Sequence, residues 1–235
     1  FDMYRKDTTY LNLNMRLGAV YQLEATQSAT VFVQHLQTIV NGINAAQVQQ
    51  SKRLPEEGDV GSNNLGVTYD FNNTDYRFNP RKGYELAVTA TAGSKAIKKN
   101  NLILELKDPY DPTFKYERLY DTVKLKTYQF RISGMAAKYF PIGTQSTFKT
   151  EVNAGLYQSG TIFRNELFQI GGYRLLRGFD EESQFLSQYA IATLEYRYLI
   201  GQNSSFFAFT DGGWGKGGVD KLNHNYIGAG LGLSF

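Results

Sequence analysis

Between Tyr10 and Leu23 nearly every second residue is apolar. Leu11, Leu13, Met15, Leu17, Ala19, Tyr21 and Leu23 alternate with Asn12, Asn14, Arg16, Gly18 and Gln22, and Val20 is the one exception. A period of two puts all the apolar side chains on one face of an extended strand and the polar ones on the other. The run is also long. Strands in soluble proteins have about 5–6 residues, whereas a tilted strand that crosses a bilayer needs about 9–11. A face this long and this regular predicts a strand with lipid on one side and a polar interior on the other.

The pattern recurs along the chain. Leu65, Val67, Tyr69 and Phe71 alternate with polar or small residues, as do Tyr84 to Ala92, Tyr128 to Ile132, Phe148 to Leu156, Leu194 to Tyr198 and Ile227 to Phe235. Ala29 to Val40 is a more poorly patterned strand, and Phe206 to Trp214 begins apolar on both faces. That makes about nine strands. Short turns are predicted at Asn79-Pro80-Arg81-Lys82-Gly83, Pro141-Ile142-Gly143-Thr144 and Gly201-Gln202-Asn203-Ser204. Long polar loops are predicted at 42–62, 95–122 and 159–187, with a shorter glycine-rich one at 215–223. Alternating short and long connections are the mark of an outer-membrane barrel, with short periplasmic turns and longer extracellular loops. Strands 84–93, 148–158 and 206–214 then run outward, and 128–140, 189–200 and 226–235 run back. Thr38 to Lys52 is the best helix candidate, with a weak apolar stripe.

Composition agrees with this reading. Of 235 residues, 17 are Tyr and 16 Phe against one Trp, which suits interfacial aromatic girdles, and 23 Gly with 5 Pro suit strands and tight turns. A hydrophobic fraction of 42% and a mean hydropathy of −0.39 are what a barrel shows when only alternate residues meet lipid. No apolar run reaches the length of a transmembrane helix. The net charge of +3 is small and dispersed, so nucleic acid is not an expected partner.

Three motifs stand in order near the end of the chain: Gly171-Gly172-Tyr173-Arg174-Leu175-Leu176-Arg177-Gly178-Phe179, Leu194-Glu195-Tyr196-Arg197-Tyr198, and Phe209-Thr210-Asp211-Gly212-Gly213. A fourth, Asp75-Tyr76-Arg77-Phe78-Asn79-Pro80-Arg81-Lys82-Gly83, has the form of a turn in which Pro80 sets φ and Gly83 takes a positive φ. Together they resemble the outer-membrane assembly superfamily, the BamA/TamA type of bacterial surface antigen barrel. The resemblance implies an antiparallel transmembrane β-barrel, partial here, with about nine of an expected sixteen strands. It implies a long loop folded into the barrel with Arg177, Gly178 and Phe179 at its tip. Arg177 would meet Glu195 and Asp211 on the inner wall, and Tyr173 and Phe179 would pack beside the tip. Asp75, Arg77, Pro80 and Gly83 would form the family's turn.

The same resemblance sets expectations for organisation and partners. Residues 1–235 read as part of one barrel domain, with periplasmic POTRA domains upstream and further strands downstream. The chain opens without a signal peptide, so its true N-terminus is expected elsewhere. Leu231-Gly232-Leu233-Ser234-Phe235 also has the form of a C-terminal assembly signal. The implied partners are outer-membrane lipid or lipopolysaccharide, unfolded outer-membrane or secreted polypeptides, and subunits of an assembly complex. The implied function is insertion of outer-membrane proteins or polypeptide translocation. A barrel anchor for a fused patatin-like lipase and a passive porin are the alternatives. No catalysis, metal or cofactor is expected. Glu181 and Glu182 are neighbours in a polar loop with no His nearby, His35 and His224 stand alone, and the glycine-rich 212–218 segment lacks the Lys-Ser/Thr pair of a phosphate loop.

Overall fold

A computed structural model describes residues 2–6, 10–108, 110–201, 203–218 and 220–235, with the backbone alone for 2–6. Phe1, Asp7, Thr8, Thr9, Pro109, Gln202 and Val219 lie outside the described residues, so the predicted turn at 201–204 and two predicted loops are described only in part.

The strands are β1 (Asp2–Lys6), β2 (Tyr10–Glu24), β3 (Gln27–Val40), β4 (Val60–Asn72), β5 (Gly83–Ile97), β6 (Lys126–Ile142), β7 (Ser146–Ser159), β8 (Phe168–Ile170), β9 (Gln184–Leu199), β10 (Ser205–Gly217) and β11 (Asn223–Ser234). They form one sheet in the order β1-β2-β3-β4-β5-β6-β7-β9-β10-β11, with β8 paired to β9, and every pairing is antiparallel. Among the described residues β1 and β11 do not pair, so the sheet is a partial barrel. The predicted strands are the long ones, 12 to 17 residues each, and the short β1 and β8 carry no periodicity to reveal them.

Register lines up the two faces. Leu17, Val33, Leu65, Ala92 and Phe130 are successive partners across β2 to β6. Leu17 is 76% exposed, and Val33, Leu65 and Phe130 are exposed with it. Leu231 is exposed on β11 in the same way. Apolar surface this extensive, with no second sheet over it, is what a lipid face requires. The inner face reads Asn12–Thr38, Asn14–Leu36–Ser62 and Arg16–Gln34–Asn64 along the same pairings. Its side chains bond to one another: Gln34 donates to Asn14 at 3.0 Å, Asn64 to Ser62 at 3.1 Å and Gln129 to Asn64 at 2.7 Å.

Two of the loops predicted to be polar are folded. The 41–59 segment carries helix α1 (Ala45–Ser51), and 98–125 carries α2 (Asn101–Leu104) and a 3-10 turn, Tyr116–Thr122. Val48, Ile103, Tyr116, Leu119 and Tyr120 from these loops share a buried core with Val60 and Ile97, so β4 and β5 continue upward into a cap. The predicted 38–52 helix is therefore only its second half, since Thr38 to Val40 complete β3. Asp108 fastens the cap. It accepts hydrogen bonds from the Tyr110 and Asp111 N–H groups and the Tyr116 hydroxyl, and faces Lys52 at 3.2 Å. The Tyr110 N–H leads in holding its carboxyl down at about 2, followed by the Asp111 N–H and Lys52.

Candidate functional site: the inward loop

The connection from β7 to β9, residues 160–183, turns into the barrel. Its tip is built from conformations that favour glycine. Gly171, Gly172 and Gly178 have φ of +115°, +108° and +95°, and Leu176 has φ +60°. Leu176 is fully buried, with Ile170, Leu186, Ile191 and Tyr226, and Phe179 meets Tyr226 edge-on at 5.5 Å. Tyr173, predicted to pack beside the tip, is instead exposed, and its hydroxyl accepts from Arg174 Nε at 2.7 Å. The left-handed turn at Leu176 buries that side chain in its place.

Arg177 lies between two wall strands. Its Nε donates to Asp211 Oδ2 at 3.0 Å and its Nη2 to Asp211 Oδ1 at 2.9 Å, a bidentate fork. Its own backbone N–H donates to Asp211 Oδ2 at 2.8 Å, and Nη1 donates to Glu195. Asp211 Oδ1 also accepts from Thr193 Oγ1 at 2.8 Å, and Glu195 Oε1 accepts from Arg197 Nε at 2.5 Å. The side chains of Asp211 and Glu195 are 1% and 5% exposed, and that of Arg177 is 15%. Two guanidiniums face two carboxylates, so the cluster is neutral. That balance lets four ionised groups sit in a nearly dry position.

Phe209, which the sequence presents in the third motif without a role of its own, completes the seat. Its ring lies 3.7 Å from the Arg177 guanidinium carbon, and Phe207 is 6.0 Å away. The signal was visible. Phe207 and Phe209 break the alternation of β10 by placing aromatics on its inner face, where they meet a cation. The glycines of β11 have the complementary reason. A Cβ at Gly228 would run into the carbonyl of Arg177, and one at Gly230 would lie 2.9 Å from the Phe209 ring. The even-numbered glycines of β11 thus make room for the tip and its aromatic platform. Replacing Gly228 with valine is expected to displace the tip at about 1–3 kcal/mol. Trypsin should then cut after Arg177 in the folded protein, and no change in cleavage would contradict this.

The turn motif sits apart, at the opposite end of the strands. Asp75 accepts from the Arg81 and Lys82 N–H groups at 2.9 and 3.1 Å, Pro80 is buried, and Gly83 has φ +112°. Arg77 is exposed over Phe78, and it is Arg81 that reaches a neighbouring turn, donating to the Gly143 carbonyl at 2.6 Å. Among the described residues no group of three potential metal ligands occurs.

The model of the Omp85 superfamily domain matches residues 2–235. The chain belongs to the Omp85 superfamily. It is an outer-membrane β-barrel chain, in agreement with the resemblance drawn from Arg177, Glu195 and Asp211. Among solved structures it is similar to CdiB from Acinetobacter baumannii, at 16% identity and a TM-score of 0.58, covering 96% of this chain and 36% of that one. At that identity the likeness shows the fold, and this Omp85 chain spans about a third of that structure. A second match, the COG4313 outer membrane channel from Pseudomonas putida F1, has 13% identity and a TM-score of 0.34, covering 93% of this chain and 63% of that one. No curated protein sequence matches the chain.

Proposed function

We propose that this Omp85 chain is the barrel of a non-enzymatic factor that inserts or translocates unfolded polypeptides at the outer membrane. The observation that carries the reading is the loop tip, locked inside the barrel by Arg177 on Asp211 and Glu195. A passive pore needs no loop pinned into its lumen. A barrel serving only as an anchor needs no neutral four-charge cluster to place one. The amides and hydroxyls that stand beside Arg16 and Arg131 on the inner face of β2 to β6 support passage of extended chains, since they can bond to any peptide backbone. Outer-membrane lipid and secreted or membrane-bound polypeptides are the partners this reading takes.

The test is Arg177→Ala in the protein as the cell makes it, followed by quantitative proteomics of outer membrane and medium. Loss of many outer-membrane barrels would support insertion. Loss of one or a few secreted polypeptides would support translocation. An unchanged outer membrane and secretome, with the variant present at normal level, would overturn both.

A further inference from the structure

The inward loop has a second attachment, far along the chain from its tip and on different strands. Its descending limb, residues 161–168, includes a short 3-10 turn at Arg164–Glu166. Lys95, on the inner face of β5, reaches this limb. It donates to Glu166 Oε2 at 2.6 Å and to the Thr161 carbonyl at 2.5 Å, and its side chain is 0% exposed. Glu166 is fully used. Its Oε1 accepts from the Tyr157 hydroxyl at 2.8 Å, and its Oε2 also accepts from the Phe163 N–H at 2.9 Å. Arg131, on β6, donates to the Glu166 carbonyl and lies 4.5 Å from the rings of both Tyr157 and Phe168.

The cap holds the same limb from above. Asn165 exchanges two 3.0 Å hydrogen bonds with the backbone of Gly58, and the Arg164 N–H donates to the Glu56 carbonyl at 2.8 Å. Phe163 packs on Gly58 so closely that a Cβ there would lie 2.6 Å from the ring. Asn165, Glu166 and Leu167 also wall a lumenal cavity of about 450 Å³, whose other side on β2 to β5 sets Arg16 among amides and hydroxyls.

We infer that Lys95 is a positioning residue, which clamps the limb of the loop across the lumen through Glu166 as a lock separate from the Arg177 tip. The two locks use different walls: β5, β6 and β7 for the limb, β9 and β10 for the tip. A buried lysine must be paired, and a buried carboxylate likewise, so each of this pair fixes the other. Releasing the tip then lets it swing while the limb stays, and releasing the limb widens the cavity while the tip stays. The inference does not depend on what the barrel transports.

Cysteine labelling separates the locks. Leu167→Cys reports the limb and Leu176→Cys the tip, both buried positions, with an impermeant maleimide added to intact cells. In the Glu166→Ala background, which leaves the buried Lys95 ammonium without its carboxylate, limb labelling should rise about tenfold or more with the tip unchanged. Conductance of the purified protein in planar bilayers should rise with it. In the Asp211→Ala background the tip should label and the limb should not. Both positions responding together in either background would overturn separate locks, as would an unmoved limb in the first. If that variant fails to assemble, Glu166→Gln, isosteric and uncharged, carries the same expectation and the same contrary outcomes.

Discussion

Replacing Asp211 with alanine is expected to free the tip of the inward loop while the barrel persists. The carboxylate accepts three hydrogen bonds from Arg177 and one from Thr193, and its removal leaves a guanidinium beside Phe209 with Glu195 as its remaining carboxylate. Breaking one side of a buried pair costs roughly 3–5 kcal/mol. At about 1.4 kcal/mol per factor of ten, that raises the population of the open tip by at least about a hundredfold. Hydrogen exchange at the Glu182 amide, which donates to the Gly171 carbonyl within the loop and loses no partner in the substitution, reads this. Strand amides of β5 to β7 should keep their protection. A charge swap looks attractive from the sequence, where Arg177→Glu with Asp211→Arg should restore part of the loss. The structure changes that expectation. A carboxylate in place of the Arg177 guanidinium would face Glu195, the very group that binds Arg177 and Arg197, so the swap should rescue little.

A single arginine on the outer wall should be as damaging to assembly as the first change is to the loop. Leu17 lies midway along the Leu11–Leu23 apolar set and projects away from the sheet. An arginine near the bilayer midplane costs about 2–4 kcal/mol in a barrel. Leu17→Arg should therefore reduce the heat-modifiable, folded form in outer-membrane fractions. Asn14→Arg, three residues away on the inner face among polar side chains, should assemble near normally. Equal tolerance at both positions would contradict a lipid face on β2.

The strands were legible because their alternation is imposed by lipid on one side and a polar lumen on the other. Each of the nine long strands shows it at least in part. Their upper ends were not, because above the bilayer that constraint ends. Val60 and Ile97 face the core of the cap, and the cap's apolar residues are spaced irregularly through 41–59 and 98–125, where they read as loop. Arg177, Glu195 and Asp211 could be named from motif order, and the structure brings these three together. Phe209 stands in the third motif without a role and Thr193 in none, because an aromatic on the inner face and a hydroxyl beside a carboxylate acquire a role only once the loop is inside. Lys95 and Glu166 lie 71 residues apart in sequence, and nothing local marks either as a partner. Backbone strain at Leu176, with φ +60° at a non-glycine residue, is likewise invisible until the tip is seen to bury that side chain.

The central claim is that the loop carrying Arg177 lies inside the barrel, held there by carboxylates of the wall. Its most direct measurement is the labelling rate of Leu176→Cys by a large impermeant maleimide on intact cells, beside Tyr110→Cys at the surface of the cap. Leu176 is fully buried and Tyr110 almost fully exposed. The account predicts that Tyr110→Cys labels rapidly, that Leu176→Cys stays protected, and that Asp211→Ala exposes it. Labelling of Leu176→Cys at the rate of Tyr110→Cys in the otherwise unaltered protein would contradict the account.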